Sequence, residues 1–164
     1  MPNPPDELQQ LLDTSFAQAS DHLRSIMTEP RRLSAQRLID ELPCPAVLNI
    51  ATVTARGEPR ISAVDGHFLD GHWYFTTAGD SPKARQLRAR PAISASYTPR
   101  DGFGVFCHGR AAVLDAGNPE RQMLAEHYRE VYGQSPDEWG INILYARIDA
   151  HWLVGFAMAP DEMP

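Results

Sequence analysis

The spacing of apolar and polar residues changes period several times along the chain. From Asp6 onward, Leu8, Leu11, Leu12, Phe16, Ala19, Leu23, Ile26 and Met27 recur at three- and four-residue steps. Gln9, Asp13, Gln18 and Asp21 fall on the opposite face, the pattern of a single amphipathic helix that needs a surface to cover. The body of its own domain or a second subunit is the plain choice of surface, and a role as a lid over a substrate pocket is the sharper one. Pro2, Pro4 and Pro5 ahead of it predict an extended or disordered start. Glu29-Pro30 breaks the helix, and a second one opens at Ser34 as N-cap, runs through Leu38 and Ile39 to Leu42, and ends at Pro43 and Pro45.

Period two then takes over. Residues 46–54 put Val47, Asn49, Ala51 and Val53 on one face and Leu48, Ile50 and Thr52 on the other, which predicts a strand covered on both sides. Arg56-Gly57-Glu58 turns the chain into a second strand, 59 to about 68, and Asp70-Gly71 is a hairpin turn into the aromatic and β-branched run Trp73, Tyr74, Phe75, Thr76, Thr77. A fourth strand is expected at 92–97 and a fifth at 105–115, joined by a loop at 98–104, with Gly109 as a bulge or close backbone approach. Asn118-Pro119-Glu120 opens a helix through Tyr132 that carries Met123, Leu124, His127, Tyr128 and Val131 on one face and ends at Gly133. A further helical turn is expected at 135–139, and a last strand at 142–158 with a break around Asp149-Ala150. Six strands with local hairpins and one mid-chain helical crossover argue for an antiparallel barrel over a doubly wound sheet, and no GxGxxG occurs. The expected fold is therefore α+β and mainly β. It is a single domain over 1–164, with an N-terminal helical extension at about 6–42, a six-stranded antiparallel barrel at about 45–158, and peripheral helices.

At 164 residues and 43% hydrophobic the chain can bury a core, and its net charge of −6 argues against broad nucleic-acid binding. No apolar run reaches membrane-span length, and the opening MPNPPDELQQ is neither a secretory signal nor a transit peptide, so a cytoplasmic protein is expected. Cys44 and Cys107 lie outside any CxxC and are expected to act as small core hydrophobes in a reducing compartment. His67, His72, His108 and His151 are scattered over strands with no HxxxH or HExxH, so no metal site is expected.

The densest chemistry lies at 72–91, HWYFTTAGDSPKARQLRARP. A strand ends at Thr76 and Thr77, Ala78-Gly79 breaks it, and a helix starts with Ser81 as N-cap and Pro82 at its first position. Lys83 follows in the first turn, and Pro91 forces the helix to stop near Arg90. A helix N-terminus flanked by hydroxyls and a lysine can bind phosphate. The same residues also describe an ordinary capped surface helix with solvated cations.

The run YFTT followed by DSPKARQLRARP resembles the signature of the pyridoxamine phosphate oxidase-like flavoproteins, the FMN-binding split-barrel superfamily. The resemblance continues upstream through PAVLNIATVTARGEPRISAVDGHFLDG and downstream to FCHGRAAVLD, covering roughly residues 42 to 115. It implies an FMN-binding split barrel that forms a homodimer, with each cofactor site built from both chains. It also implies hydride transfer to or from a small organic molecule. By position it implies Arg60, Ile61, Ser62 and Ala63 beside the flavin, Thr76 and Thr77 at ribityl or phosphate oxygens, and Ser81 and Lys83 around the phosphate. Read without the resemblance, Arg60 is an edge-strand cation beside Glu58 or Asp65. Alternatives within the superfamily are the deazaflavin F420, whose acidic tail Arg85, Arg88 and Arg90 could receive, or a flavin- or haem-binding module without turnover. Two departures stand out. Asp65 occupies a position where the oxidases carry a flavin-binding lysine. The C-terminal arginine and histidine pair that holds their substrate is also missing, since the last arginine is Arg147 and nothing after His151 resembles the pair. A true pyridoxamine phosphate oxidase is therefore not expected.

Overall fold

The computed structural model describes residues 3–140 and 142–164. Strands β1 (Ala46–Val53), β2 (Pro59–Leu69), β3 (His72–Ala78), β4 (Ala92–Tyr97), β5 (Phe103–Val113) and β6 (Ile143–Ala157) close an antiparallel barrel in the order β1-β2-β3-β6-β5-β4. Alternate residues of each strand face inward. Leu48, Ile50, Trp73, Phe75, Ile93, Val105, Cys107, Ile148 and Leu153 fill the interior. The β2–β3 connection is the tight turn expected at Asp70-Gly71, both with positive φ (48° and 85°).

The helices plug and cover this barrel. Helix α1 (Pro4–Ala17) lays Leu8 and Leu12 on the outside of β6, and the Ser15 hydroxyl accepts a hydrogen bond from the backbone N–H of Leu153 at 2.9 Å. It therefore docks on its own barrel. The short α2 (Asp21–Ile26) follows, then α3 (Ala35–Glu41) with Ser34 as N-cap, and α4 (Pro82–Ala89) inserts Ala84 and Leu87 into the barrel core. Helix α5 (Pro119–Tyr132) packs Leu124 and Tyr128 against Tyr74, Leu114 and Tyr145 on the outer barrel wall, forming a second apolar cluster. Its first turn is tied down by Glu120, which accepts from Arg147 at 2.6 Å and from the Tyr74 hydroxyl at 2.5 Å. Among the described residues no helix is long and apolar enough to cross a membrane.

The structure corrects several sequence expectations. Pro4 and Pro5 begin α1 instead of an extended start, because the first helical turn has no partner for the N–H that proline lacks; Pro2 lies outside the described residues. The single N-terminal helix is two helices, since Ser20 caps α2 by accepting from Leu23 N–H at 3.2 Å. The outer face of β1 is not covered by this chain, and Val47 stands 64% exposed. Cys107 is buried as expected, but Cys44 is an exposed residue at the turn into β1.

Of the two roles expected for Gly109, the close backbone approach is the one seen: the β5–β6 register shifts between His108 and Gly109, but the extra residue of the bulge is His151 in β6, so the strand expected to break around Asp149-Ala150 runs on through a bulge there. A Cβ at Gly109 would lie 2.2 Å from the Asp149 carbonyl oxygen and 2.8 Å from Ala150 Cα, both backbone atoms that cannot swing aside. Gly109→Ala is therefore expected to lower the chemical-denaturation stability by roughly 2 kcal/mol or more, whereas Gly117→Ala, where no atom lies within 4 Å of the new Cβ, stays within ±0.5 kcal/mol.

Candidate functional site

β2 pairs with the whole of β1, from Pro59 opposite Val53 to Gly66 opposite Ala46. It meets β3 only at His67, Phe68 and Leu69, whereas β3 pairs along its other edge with β6 from Trp73 opposite Ile148 to Ala78 opposite Ile143. The barrel is thus split between the first half of β2 and the second half of β3. A cleft of about 180 Å³ lies there, lined by Asp65, Thr76, Thr77, Tyr128 and Trp139.

Helix α4 starts at one end of this cleft. Ser81 Oγ accepts from the Ala84 N–H at 3.2 Å and lies 3.4 Å from Thr77 Oγ1, so the strand end and the helix start share a hydroxyl pair. The loop between them is pinned on both sides: Gly79 N–H donates to the Asn142 carbonyl at 2.8 Å, and the guanidinium groups of Arg85 and Arg88 donate to the carbonyls of Asp80 and Gly79. Lys83 is half-buried in the first turn and has no ion pair among the described residues. A cation there works against the helix dipole unless an anion sits beside it. Pro82 has no N–H and the Ala84 and Arg85 N–H groups are taken by Ser81, so the helix start offers one free backbone donor, that of Lys83, beside its ammonium and the Thr77 and Ser81 hydroxyls, a small donor set of the kind a phosphate ester takes.

Of the expected site, Thr77 and Ser81 are therefore brought into contact, Thr76 lines the cleft beside them, and Lys83 follows two residues after Ser81 in the first turn of α4. Arg60 is not turned toward them: it is exposed and pairs with Glu58 at 2.8 Å, the arrangement read from the residues alone. Ile61 and Ala63 are exposed on the outer face of β2, which they share with Asp65, and Ser62 is half-buried on the alternate face.

Three aromatic residues of the site lie outside the expected set. Tyr128 and Trp139 line the cleft, and Tyr132 donates to Asp65 Oδ2 at 3.0 Å. Burial and the Asp65 carboxylate push the Tyr132 phenol up, and burial does the same for Tyr128, so both hydroxyls stay protonated. Among the described residues the buried Tyr128 hydroxyl has no hydrogen bond of good geometry, the Thr76 side chain at the cleft being its nearest candidate. The four-residue step from Tyr128 to Tyr132 marked one helix face, but nothing in the sequence tied that face to Asp65. Beneath Asp65, His67 is fully buried, and burial with the nearby His127 lowers its pKa to about 4, so the ring is neutral at physiological pH.

A family model described as pyridoxamine 5'-phosphate oxidase matches residues 35–154. No curated protein matches the chain in sequence at a significant level. Among solved structures, a conserved hypothetical protein from Mycobacterium tuberculosis superposes with a TM-score of 0.66 at 19% identity, over 84% of this chain and 92% of that one. A FAD-binding protein from Mesorhizobium loti gives 0.61 at 22% identity, over 77% and 94%. A protein described as an F420 reductase gives 0.53 at 17% identity, over 66% and 89%. At these identities the likeness to solved structures is one of fold.

A buried hydroxyl without a well-formed hydrogen bond is a cost that a small shift toward Thr76, a water or a ligand in the cleft would relieve. Tyr128→Phe is expected to leave the ligand-free protein as stable as the parent or about 1 kcal/mol more stable, read from urea denaturation.

Proposed function

The chain belongs to the pyridoxamine 5'-phosphate oxidase family, and on that premise we propose that it is an FMN-dependent oxidoreductase, active as a homodimer, that transfers hydride to or from a small organic molecule. The observation that carries this reading is the contact of Thr77 with Ser81 at the start of α4, beside the cleft that Thr76 and Thr77 line, with Lys83 in the first helical turn and in no ion pair among the described residues. Lys83 and the helix N-terminus would hold the phosphate, and the two threonines the ribityl oxygens. Ile61, Ser62 and Ala63 would border the ring. When bound, the flavin supplies the hydride chemistry, and the protein orients it and tunes its surroundings. The absence of an acid–base dyad among the cleft residues accords with that division.

Two features narrow the reading. Asp65 puts a carboxylate into the cleft where a second phosphate would be repelled, which favours an unphosphorylated substrate over pyridoxamine phosphate. Arg85 and Arg88, which an acidic F420 tail would need, are already engaged with the carbonyls of Asp80 and Gly79. FMN is therefore favoured over F420, although a protein of this fold is described as an F420 reductase.

The dimer rests on the uncovered outer wall. Val47 and Ile61 are 64% and 78% exposed, and Asn49, Ala51, Ser94, Ser96 and Phe106 complete a largely apolar hollow of about 170 Å³ beside Ile61. A second copy of the same wall is its proposed occupant, in an interface of roughly 2,000 Å² or more. Ile61→Asp, which buries a charge in that interface, is expected to convert a dimer to a monomer in analytical ultracentrifugation; a wild-type monomer at micromolar concentration refutes the dimer.

Charge-assisted contacts to phosphate contribute about 1.5–3 kcal/mol each. Lys83→Ala is accordingly expected to weaken FMN binding by roughly one to two powers of ten in a titration of apo protein followed by flavin fluorescence. Lys83→Glu is expected to be worse, and Arg100→Ala, in a distant loop, to have a smaller effect. Unchanged affinity in Lys83→Ala, or a wild type that binds neither FMN nor F420, removes the phosphate site.

A further inference from the structure

Three side chains far apart in sequence meet where α5 crosses β2. Cys44 comes from the turn before β1, His67 from β2 and His127 from α5. Their ligand atoms form a small triangle: Cys44 Sγ lies 3.3 Å from His67 Nδ1 and 3.6 Å from His127 Nε2, and the two ring nitrogens are 3.0 Å apart. We propose that Cys44, His67 and His127 bind a single zinc-type divalent transition-metal ion, with its fourth position left to water.

The triangle has the dimensions of a face of a metal tetrahedron. Bonds of about 2.05 Å to nitrogen and about 2.3 Å to sulfur, at tetrahedral angles, set edges of about 3.4 Å between nitrogens and about 3.6 Å between nitrogen and sulfur. The observed edges come within a few tenths of an ångström of these. One thiolate with two imidazoles is a donor set for borderline and soft ions, and selects against magnesium or calcium. No other group of three histidine, cysteine or carboxylate side chains converges in this way among the described residues.

The protonation state of the triangle is fixed from behind. Tyr132 donates its hydroxyl proton to Asp65 Oδ2 at 3.0 Å, so its oxygen can only accept from His67 Nε2, 3.1 Å away. The His67 proton is thereby held on Nε2, and Nδ1 presents a bare lone pair to Cys44 and His127. A carboxylate fixing the tautomer of a buried histidine is how metal-ligating imidazoles are oriented, here relayed through a tyrosine. A thiol beside two imidazole nitrogens is a donor set whose thiol ionises on metal binding. The ion would clamp α5 to β2 beside the cleft that Tyr128 and Asp65 line, but the site shares no residue with the proposed flavin cradle.

The test is a titration of the chelator-treated, reduced full chain with Co²⁺, followed by displacement with Zn²⁺. One equivalent per chain is expected, with a thiolate-to-cobalt charge-transfer band in the near ultraviolet and the intense visible bands of tetrahedral cobalt. Cys44→Ser is expected to abolish the charge-transfer band, and His127→Ala to weaken binding at least 100-fold, an order-of-magnitude expectation for a lost ligand. Both positions lie at the edge of the cluster, and circular dichroism checks that the variants fold. Tyr132→Phe is expected to keep the band while binding roughly 10- to 100-fold more weakly. The proposal is overturned if the wild type takes up no Co²⁺ or Zn²⁺, if the complex lacks the charge-transfer band, or if folded Cys44→Ser and His127→Ala bind as tightly as wild type.

Discussion

A backbone edge left unpaired inside a folded chain must be covered, and β2 and β3 leave one each where they part company after His67 and Tyr74. β3 spends the rest of its length on β6, and β2 stays with β1. The gap is managed by the two elements that would otherwise have no reason to be there. α4 closes the barrel end with Ala84 and Leu87, and α5 lies over the outer wall, anchored by the Tyr74–Glu120–Arg147 network. The cleft, the helix end that faces it and the histidine beneath it all follow from that one divergence.

Much of this architecture is written locally in the chain. Ser81-Pro82 predicts the start of α4, Pro91 its end, Asp70-Gly71 the hairpin and Gly109 the close backbone approach, because in each case a side chain or its absence restricts the backbone at that residue. The contact of Thr77 with Ser81 is legible for the same reason, since the two are near neighbours in sequence across one turn. What could not be read were properties of assembled surfaces. Val47 and Leu48 look equally apolar along the strand, yet only Leu48 faces the barrel interior. Pro4 and Pro5 look like disorder until the helix they begin has β6 to rest on.

The cluster of Cys44, His67 and His127 is the plainest case. Cys44 is separated from its partners by 23 and 83 residues, so no spacing rule connects them. His67 reads as one strand histidine among several, and His127 as one position on an amphipathic face. Only the crossing of α5 over β2 brings them together. The same crossing carries Tyr132 to Asp65, so the residue that departs from the oxidase pattern is not free to play the usual lysine's part: its carboxylate already has a hydrogen-bond donor.

The docking of α1 on β6 has a consequence for how the chain comes to its folded state. The hydrogen bond from Leu153 to Ser15 spans 138 residues, and the bridge of Arg32 to Phe156 ties a second N-terminal segment to the same strand. Both are contacts of very high sequence separation, whose loop-closure cost must be met before they stabilise anything. On the ribosome, α1 therefore has no surface to rest on until β6 has been made. Throughout synthesis its apolar stripe of Leu8 and Leu12 stays open to solvent, to chaperones and to neighbouring nascent chains.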